Sequence, residues 1–460
     1  MAPLALAAGL VAAGRVATTR PAWAGEAVTA TTTAASQDPK IPFEKYTLDN
    51  GLEVILIKDQ SVPLVAVDVW YHVGSGLETP GKTGFAHLFE HMLFQGSKHV
   101  GEDRHFDVLK QVGASAVNGS TNSNRTNYFE VVPSNQLETA LWLESDRMGF
   151  LLPMLTQKSL DNQIDVVRNE RRQRIDNVPY GKSMMTLAEM MYPEGHPYRY
   201  SVIGKHEDLQ NATLDDVVGF YKTWYVPANA TLTVAGDFDD ATIKQLVTKW
   251  FGDFPVSKKP DVVDIQTPLP DAKRQVVTDD FAQLRQVTWS WVTPRTMAPG
   301  DAELDIIADV LAGSEASRLY RSLVIDKRLA QGVSAHQTSL QFSSTFEVTV
   351  TLQSDADLAA VEKIMGDAIE RLRKEAISDR ELSRAVTTFE AQSIRGLQSL
   401  LGRAERLQNY NQVLGNPDSI TTDLDRYRNA TVDGVKATAA EWLAPTHRVE
   451  LVTMPAGGAK

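Results

Sequence analysis

The sequence contains no cysteine. That excludes disulfide scaffolds, cysteine–zinc sites and thiol catalysis together. Any metal held here must be held by histidine or carboxylate. Long apolar runs are missing too: past the N-terminal leader, no stretch reaches the ~18 apolar residues of a membrane-spanning helix. There is no excess of positive charge. Lys and Arg number 46 against 58 Asp and Glu, leaving a formal net charge of −12. That balance argues against nucleic acid as a partner and offers no basic stripe for anionic lipid. Histidine is scarce, 9 in 460 residues, so a cluster of histidines carries information.

What is present describes a soluble globular protein, with 43% hydrophobic and 23% charged residues. The length is enough for two or more domains with large cores. Residues 1–37 read as a signal-like leader followed by a flexible tail. Residues 3–13 form a short apolar run, and Ala22-Trp-Ala24 resembles a cleavage site. No basic residue precedes the run, and Arg15 and Arg20 follow it, so the alternative is an Ala/Thr-rich disordered leader. The signal-like reading places the mature protein in the periplasm or outside the cell.

The most informative stretch is Gly84-Phe-Ala-His-Leu-Phe-Glu-His-Met-Leu-Phe-Gln-Gly96. Thr83 is the expected N-cap and Gly96 the expected stop of a helix of about three turns. On that helix His87, Glu90 and His91 share one face. Apolar residues cover most of the remaining circumference, which predicts burial. Buried imidazoles and a carboxylate are costly unless something satisfies them. A divalent cation does so: two neutral imidazole nitrogens bind it, and the carboxylate holds a water beside it. The bland alternative is a pair of hydrogen-bonded core histidines. The pattern H-x-x-E-H arises by chance in only about one in a hundred chains of this histidine content.

Two strands are expected between Tyr46 and Tyr71, and two more over Ala114–Asn118 and Asn127–Val132. Helices are expected over Leu137–Met148, Leu160–Ile175 and Leu214–Trp224, and a strand over Ala230–Ala235. Residues 253–270 carry four prolines and read as an inter-domain linker between a domain at 38–252 and another at 271–456. Beyond the linker come strands at Gln286–Val292, Gly332–Thr338 and Thr345–Leu352, and long helices at Leu358–Glu375 and Asp379–Arg406. Asn211, Ala212, Thr213, Asp215, Trp224 and Pro227 recur as Asn429, Ala430, Thr431, Asp433, Trp442 and Pro445, every pair 218 positions apart. The chain therefore reads as two copies of one α+β unit, of which only the first carries the histidines.

Catalytic zinc usually has three protein ligands and an open position. The best third ligand is Glu170, on a helix where it shares a face with Gln163 two turns earlier. Glu144 and Asp146 on the preceding helix are weaker rivals. The alternative for Glu170 is a surface ion pair with Arg171, Arg172 or Arg174.

Gly74-Ser75, Glu78 and Gly84–Gly96, with Asn118, Thr121, Thr126, Tyr128 and Val166–Glu170, resemble the pitrilysin-type metallopeptidases, the inverzincins. The resemblance runs from about Tyr46 to Thr453 and covers the duplication. It implies that His87, His91 and Glu170 bind one zinc ion and that Glu90 is the general base. It implies that the Asn118 segment is an edge strand pairing with an extended peptide, with Asn118 and Tyr128 as substrate-binding residues. It implies an α+β fold of two homologous domains, each an antiparallel-rich sheet layered with helices, together forming one bowl of a clamshell. The expected activity is zinc-dependent endoproteolysis of unfolded polypeptides or peptides inside a chamber.

The chain departs from the family pattern in two places. The Arg and Tyr that active members carry seven residues apart in the second-half bowl are replaced by Val324 and Gln331. Neither can offer a cation or a phenol to a developing oxyanion. The expected assembly is therefore a heterodimer with a homologous subunit that lacks H-x-x-E-H and carries the Arg/Tyr pair. A homodimer without that pair and a non-catalytic scaffold or processing-complex subunit are the alternatives. Gln163 stands where many relatives have Glu; it can hydrogen-bond a ligand but not share in acid–base work.

Overall fold

The computed structural model describes residues 38–457. The leader expected over residues 1–37 lies outside them. No helix among the described residues is long and apolar enough to cross a membrane.

Eleven strands among these residues form two sheets. The first contains β1 (Glu44–Thr47), β2 (Glu53–Lys58), β3 (Leu64–Tyr71), β4 (Ala116–Thr121), β5 (Thr126–Pro133) and β6 (Ala230–Gly236), in the order β1-β2-β6-β3-β5-β4. The second contains β7 (Lys273–Asp279), β8 (Gln286–Thr293), β9 (Ala330–Thr338), β10 (Ser344–Leu352) and β11 (Val449–Pro455), in the order β7-β11-β8-β10-β9. Drop β1 and the two orders are the same. Each sheet has one parallel pair, β2 with β6 and β7 with β11; its other pairs are antiparallel.

The duplicated sequence explains the duplicated topology. Thr213 caps the helix Leu214–Trp224 by accepting from the Asp216 N–H, and Thr431 caps Val432–Trp442 by accepting from the Gly434 N–H. Pro227 and Pro445 then open the short turns that lead into β6 and β11. The repeated residues are thus the start, end and exit of one helix–turn–strand unit. Residues 255–272 carry no helix or strand.

Strand β3 is buried along nearly its whole length because both faces are covered. Val65, Val67, Val69 and Tyr71 enter the large core beneath the histidine helix (Phe85–Gln95). Ala66 on the opposite face packs in a separate cluster with Leu400, Ala404 and Leu407 from the second half of the chain. The second half has its own core beneath β8 and β10.

Two sequence expectations need correction. The helix expected over Asp379–Arg406 is two helices, Asp379–Gly396 and Leu400–Leu414. Ser399 caps the second by accepting from the Gly402 N–H, so a serine inside an apparently continuous periodicity is a start site. The N-cap of the histidine helix is Gly84, not Thr83. The Thr83 hydroxyl instead donates to Asp208 Oδ2 at 2.6 Å and accepts from the Lys205 N–H at 2.8 Å.

Candidate metal centre

The histidine helix begins where Gly84 takes φ 88°, a conformation that disfavours any side chain. A Cβ there would also lie 2.6 Å from the Ile203 carbonyl oxygen. With no capping side chain at that position, the half-buried Glu78 does the work from outside the helix. Its carboxylate accepts from the Gly84 and Ala86 N–H groups, both at 2.8 Å. Burial pushes Glu78 up to about 8, while those two donors pull it back. At the other side of the helix Tyr128 donates its hydroxyl to the Phe89 carbonyl at 3.0 Å. The helix is therefore fixed by its cap and along its length before any metal is considered.

On its cavity-facing side His87 and His91 meet Glu170 from the helix Gln157–Arg171. Glu170 Oε2 lies 3.0 Å from His91 Nε2 and 3.6 Å from His87 Nε2. One ligand atom from each of the three residues falls within 4.8 Å of the other two. Burial drives His87 down to about 4, with His91 adding to the effect and Glu170 opposing it. Glu170 is held below the ordinary carboxylate range, first by its contact with His91. A neutral imidazole and an ionised carboxylate are the forms that donate lone pairs to a cation. Glu170 Oε2 and His87 Nδ1 are both buried without a hydrogen-bond partner among the described residues. Three convergent donors around an unsatisfied carboxylate oxygen fit one divalent ion, and nitrogen with oxygen donors suits zinc. Glu170 also pairs with Arg174 through its other oxygen at 2.7 Å, so the surface ion pair and the inward contact coexist.

Glu90 borders the same cavity of about 950 Å³ without joining the three donors. Thr121, at the end of edge strand β4, donates to Glu90 Oε2 at 2.6 Å. Burial raises Glu90 above its usual value while that hydrogen bond lowers it. Gly119 makes the approach of β4 possible: a Cβ there would lie 2.9 Å from Phe94, 3.1 Å from Glu90 Cγ and 3.2 Å from Tyr128.

The other expected residues fall out as follows. Gln163 lies in the wall of the cavity, 5% exposed, on the Glu170 side. Asn118 is exposed on β4 and also borders the cavity. Tyr128 does not reach it. It is fully buried, and its hydroxyl is spent on the helix backbone, so it braces the histidine helix and cannot contact a bound peptide. The rival ligands are elsewhere: Glu144 pairs with Arg147 at 2.9 Å, and Asp146 holds Ser97 and His99. Val324 is half-buried against the second core, and Gln331 is exposed on β9.

Glu78, Thr121 and Gly119 gain no structural role from the sequence alone. Glu78 lies before the helix it caps, and spacing gives no hint of a long-range cap. A glycine inside a strand pattern does hint at close backbone approach, which is the role of Gly119. A second group, His105, Glu130 and Glu144, also brings three donor atoms together in the core. Arg147 contacts both His105 and Glu144, so a cation already occupies that neighbourhood. Burial, then the nearby Glu144, holds Glu130 well above the carboxylate range. This group is an ionic cluster behind β5, not a second metal site.

Comparison with known proteins identifies the family. The model of the insulinase family, peptidase family M16, matches residues 53–193. The model called peptidase M16 inactive domain matches residues 211–389. The chain is 31% identical over 373 residues to the zinc protease PqqE of Helicobacter pylori, covering 80% of this chain and 82% of that one. A crystal structure of a protease from Helicobacter pylori superimposes with a TM-score of 0.84 at 28% identity, covering 91% of this chain and all of that one. The periplasmic protease PqqL of Escherichia coli shares the fold at a TM-score of 0.76 and 16% identity, but this chain covers only 48% of its length. Family models matched in order to the two halves, and a 31% identical relative matched over most of its length, lead to one conclusion: the chain belongs to the pitrilysin-type M16 peptidase family.

Proposed function

We propose that this chain is a zinc-dependent endopeptidase acting on unfolded polypeptides or peptides. The observation that carries the proposal is the convergence of His87 Nε2, His91 Nε2 and Glu170 Oε2 with Glu90 held beside them by Thr121. His87, His91 and Glu170 would hold the ion. Bound zinc supplies a Lewis acid that makes a water more acidic and draws charge from the scissile carbonyl.

The rest of the chemistry falls to the chain's own residues. Thr121 fixes one oxygen of Glu90, which leaves the other to act as the base. Glu90 takes the proton as the water oxygen attacks the carbonyl carbon. The C–N bond then breaks, and Glu90 returns the proton to the leaving nitrogen. The unpaired edge of β4 offers backbone N–H and C=O groups to an extended peptide, which would lie past Asn118 toward Glu90. Gln163 can donate or accept a hydrogen bond at the wall but cannot take the proton.

Glu90→Gln should retain zinc and lose roughly 10³-fold in cleavage, because the shape survives and the base does not. Zinc content measured beside peptide hydrolysis checks this, and full turnover in that variant would refute the role.

Val324 and Gln331 favour a second subunit that supplies the oxyanion-stabilising pair, and we propose a heterodimer with a homologous chain. The doubled length of PqqL, whose fold this chain matches over 48%, supports a partner of similar size. The same two residues leave open a zinc-binding subunit that assembles without cleaving, as does the name of the second family model. Assay of the isolated and co-expressed chain separates these readings. The signal-like leader favours the periplasm or the exterior as the site of action.

A further inference from the structure

A second cavity, of about 980 Å³, lies on the far side of the β4–β5 turn from the metal centre. Strand β4 and the turn that follows it each border one of the two cavities. Asn118 to Thr121 border the metal cavity, and Asn122, Asn124 and Arg125 border the second. Trp70, His72, Leu77 and Asn229 of the first domain also line it, and the rest of its wall comes from later residues, including the segment 295–299 and the helix Leu400–Leu414.

The charge of this cavity runs against that of the chain. Arg125, Lys259, Arg295 and Arg406 line it, opposed by the single carboxylate of Glu405. The whole chain has a net charge of −12. A concave cationic patch in an acidic protein focuses anions. The cations are weakly neutralised. Arg295 meets Asp264, and Arg406 meets Asp423, only at 3.9 Å, and Lys259 has no ion-pair partner among the described residues. Arg125 spends one nitrogen on the Ser120 carbonyl at 2.8 Å and stacks over Trp70, but its Nε is buried without a partner. Two further buried polar atoms on the cavity wall also lack partners: His72 Nδ1 and Asn229 Oδ1. His72 is 8% exposed and Asn229 1%. Of these atoms Arg125 Nε is a donor and Asn229 Oδ1 an acceptor; the unsatisfied guanidinium donor among crowded cations points to an anionic ligand.

We propose that this cavity binds carboxylates of the peptide substrate, on the side of the scissile bond where the peptide leaves the Thr121 end of β4. The proposal rests on the peptidase reading above and adds a preference to it. A peptide paired with β4 advances about 3.3 Å per residue. Glu90 sits beside Gly119 and Thr121, so a few residues past the reacting bond the peptide leaves the end of β4. There it meets the rim formed by Asn122 to Arg125. Acidic side chains, or a free carboxyl terminus, are the groups that four cations and one acid would select.

The test is equilibrium binding of fluorescent peptides to zinc-loaded Glu90→Gln protein, which does not consume them. One peptide carries Glu and Asp on one side of its centre, a second carries them on the other side, and a third has Gln and Asn throughout; all three are amidated. A fourth, neutral in its side chains, keeps its free carboxylate. One acidic peptide should bind about tenfold tighter than the neutral amidated one at low salt, and added salt should shrink that gap. Preference for the fourth peptide would place the terminal carboxylate in the cavity; preference for an internally acidic one, the side chains. Lys259→Glu with Arg295→Glu, both exposed positions, should abolish the preference while leaving neutral-peptide binding intact. Glu405→Gln should enlarge the preference.

Equal affinities would overturn the proposal while leaving the peptidase reading standing. So would a preference that survives the double charge reversal, or tripolyphosphate that binds the cavity without competing with an acidic peptide. If Glu90→Gln protein showed the acidic preference but wild type never cleaved, alone or co-expressed with a homologous partner, the peptidase reading alone would fall.

Discussion

Single side chains decide most of what this site can do. His87, Glu90 and His91 are legible in the sequence because two histidines four residues apart on an apolar helix, with a glutamate between them, rarely serve anything but a metal. Glu170 is legible only as a candidate, since spacing cannot tell an inward carboxylate from one paired to Arg174. Tyr128 misleads, because a tyrosine near a site in sequence can turn its hydroxyl toward a helix backbone. Other buried histidines have a measurable consequence. Burial holds His72 down at about 4 and His196 likewise, and it holds His105 well below its usual value. In the unfolded chain these groups titrate near 6.5. Between about pH 6.5 and pH 4 the unfolded chain therefore binds more protons, and stability falls as pH falls. The contribution is intact above 6.5 and fully lost below the folded value. For His72, which is buried and held at about 4, the loss should be about 3 kcal/mol. His72→Asn should flatten the decline of unfolding free energy across that window, as chemical denaturation at stepped pH would show. An unchanged slope would mean that His72 is charged in the folded protein.

At the scale of elements, the edge strand and the histidine helix form one device. The end of β4 carries the hydroxyl that orients Glu90, and Gly119 two residues before it lets the strand lie close against the helix. Gly119→Ala would force a methyl between Phe94, Glu90 and Tyr128. A displacement of that kind should cost roughly 10- to 100-fold in kcat/KM while zinc stays bound, because the three ligands are untouched. Peptide hydrolysis alongside metal content would check it; unchanged catalysis would mean Glu90 is not held by this contact. Strands and most helices can be read from periodicity. The break at Leu397–Ser399 cannot, because the apolar period runs through it and only the cap of Ser399 reveals the new start. The polar strand β7 is also invisible in the sequence; its pairing with β11, not its composition, makes it a strand.

At the scale of the whole molecule, the duplication is legible from six residues repeated at one offset. The way the halves complete each other is not. Gln408 from the second half donates to the Asp68 and Thr231 carbonyls on the back of the first sheet, at 3.1 and 2.9 Å. Around it Leu400, Ala404 and Leu407 cover Ile55, Ile57, Ala66 and Ala235. No sequence pattern links a helix to a sheet hundreds of residues away. A fragment of residues 38–252 would expose that face and lose stabilisation on the order of 5 kcal/mol, a large share of a typical domain's total. It should unfold at much lower urea than the full chain, and adding back residues 271–456 should restore the midpoint. A fragment as stable as the whole would show that the two halves fold independently.

The proposed metal centre is tested most directly by titrating zinc into metal-free protein in a calorimeter, wild type beside Glu170→Gln. Wild type should bind one ion per chain. The variant should lose more than about 100-fold in affinity, since even residues that only support a ligand are worth up to that much. Equal affinity in the two proteins, or no uptake by wild type, would contradict a site built from His87, His91 and Glu170.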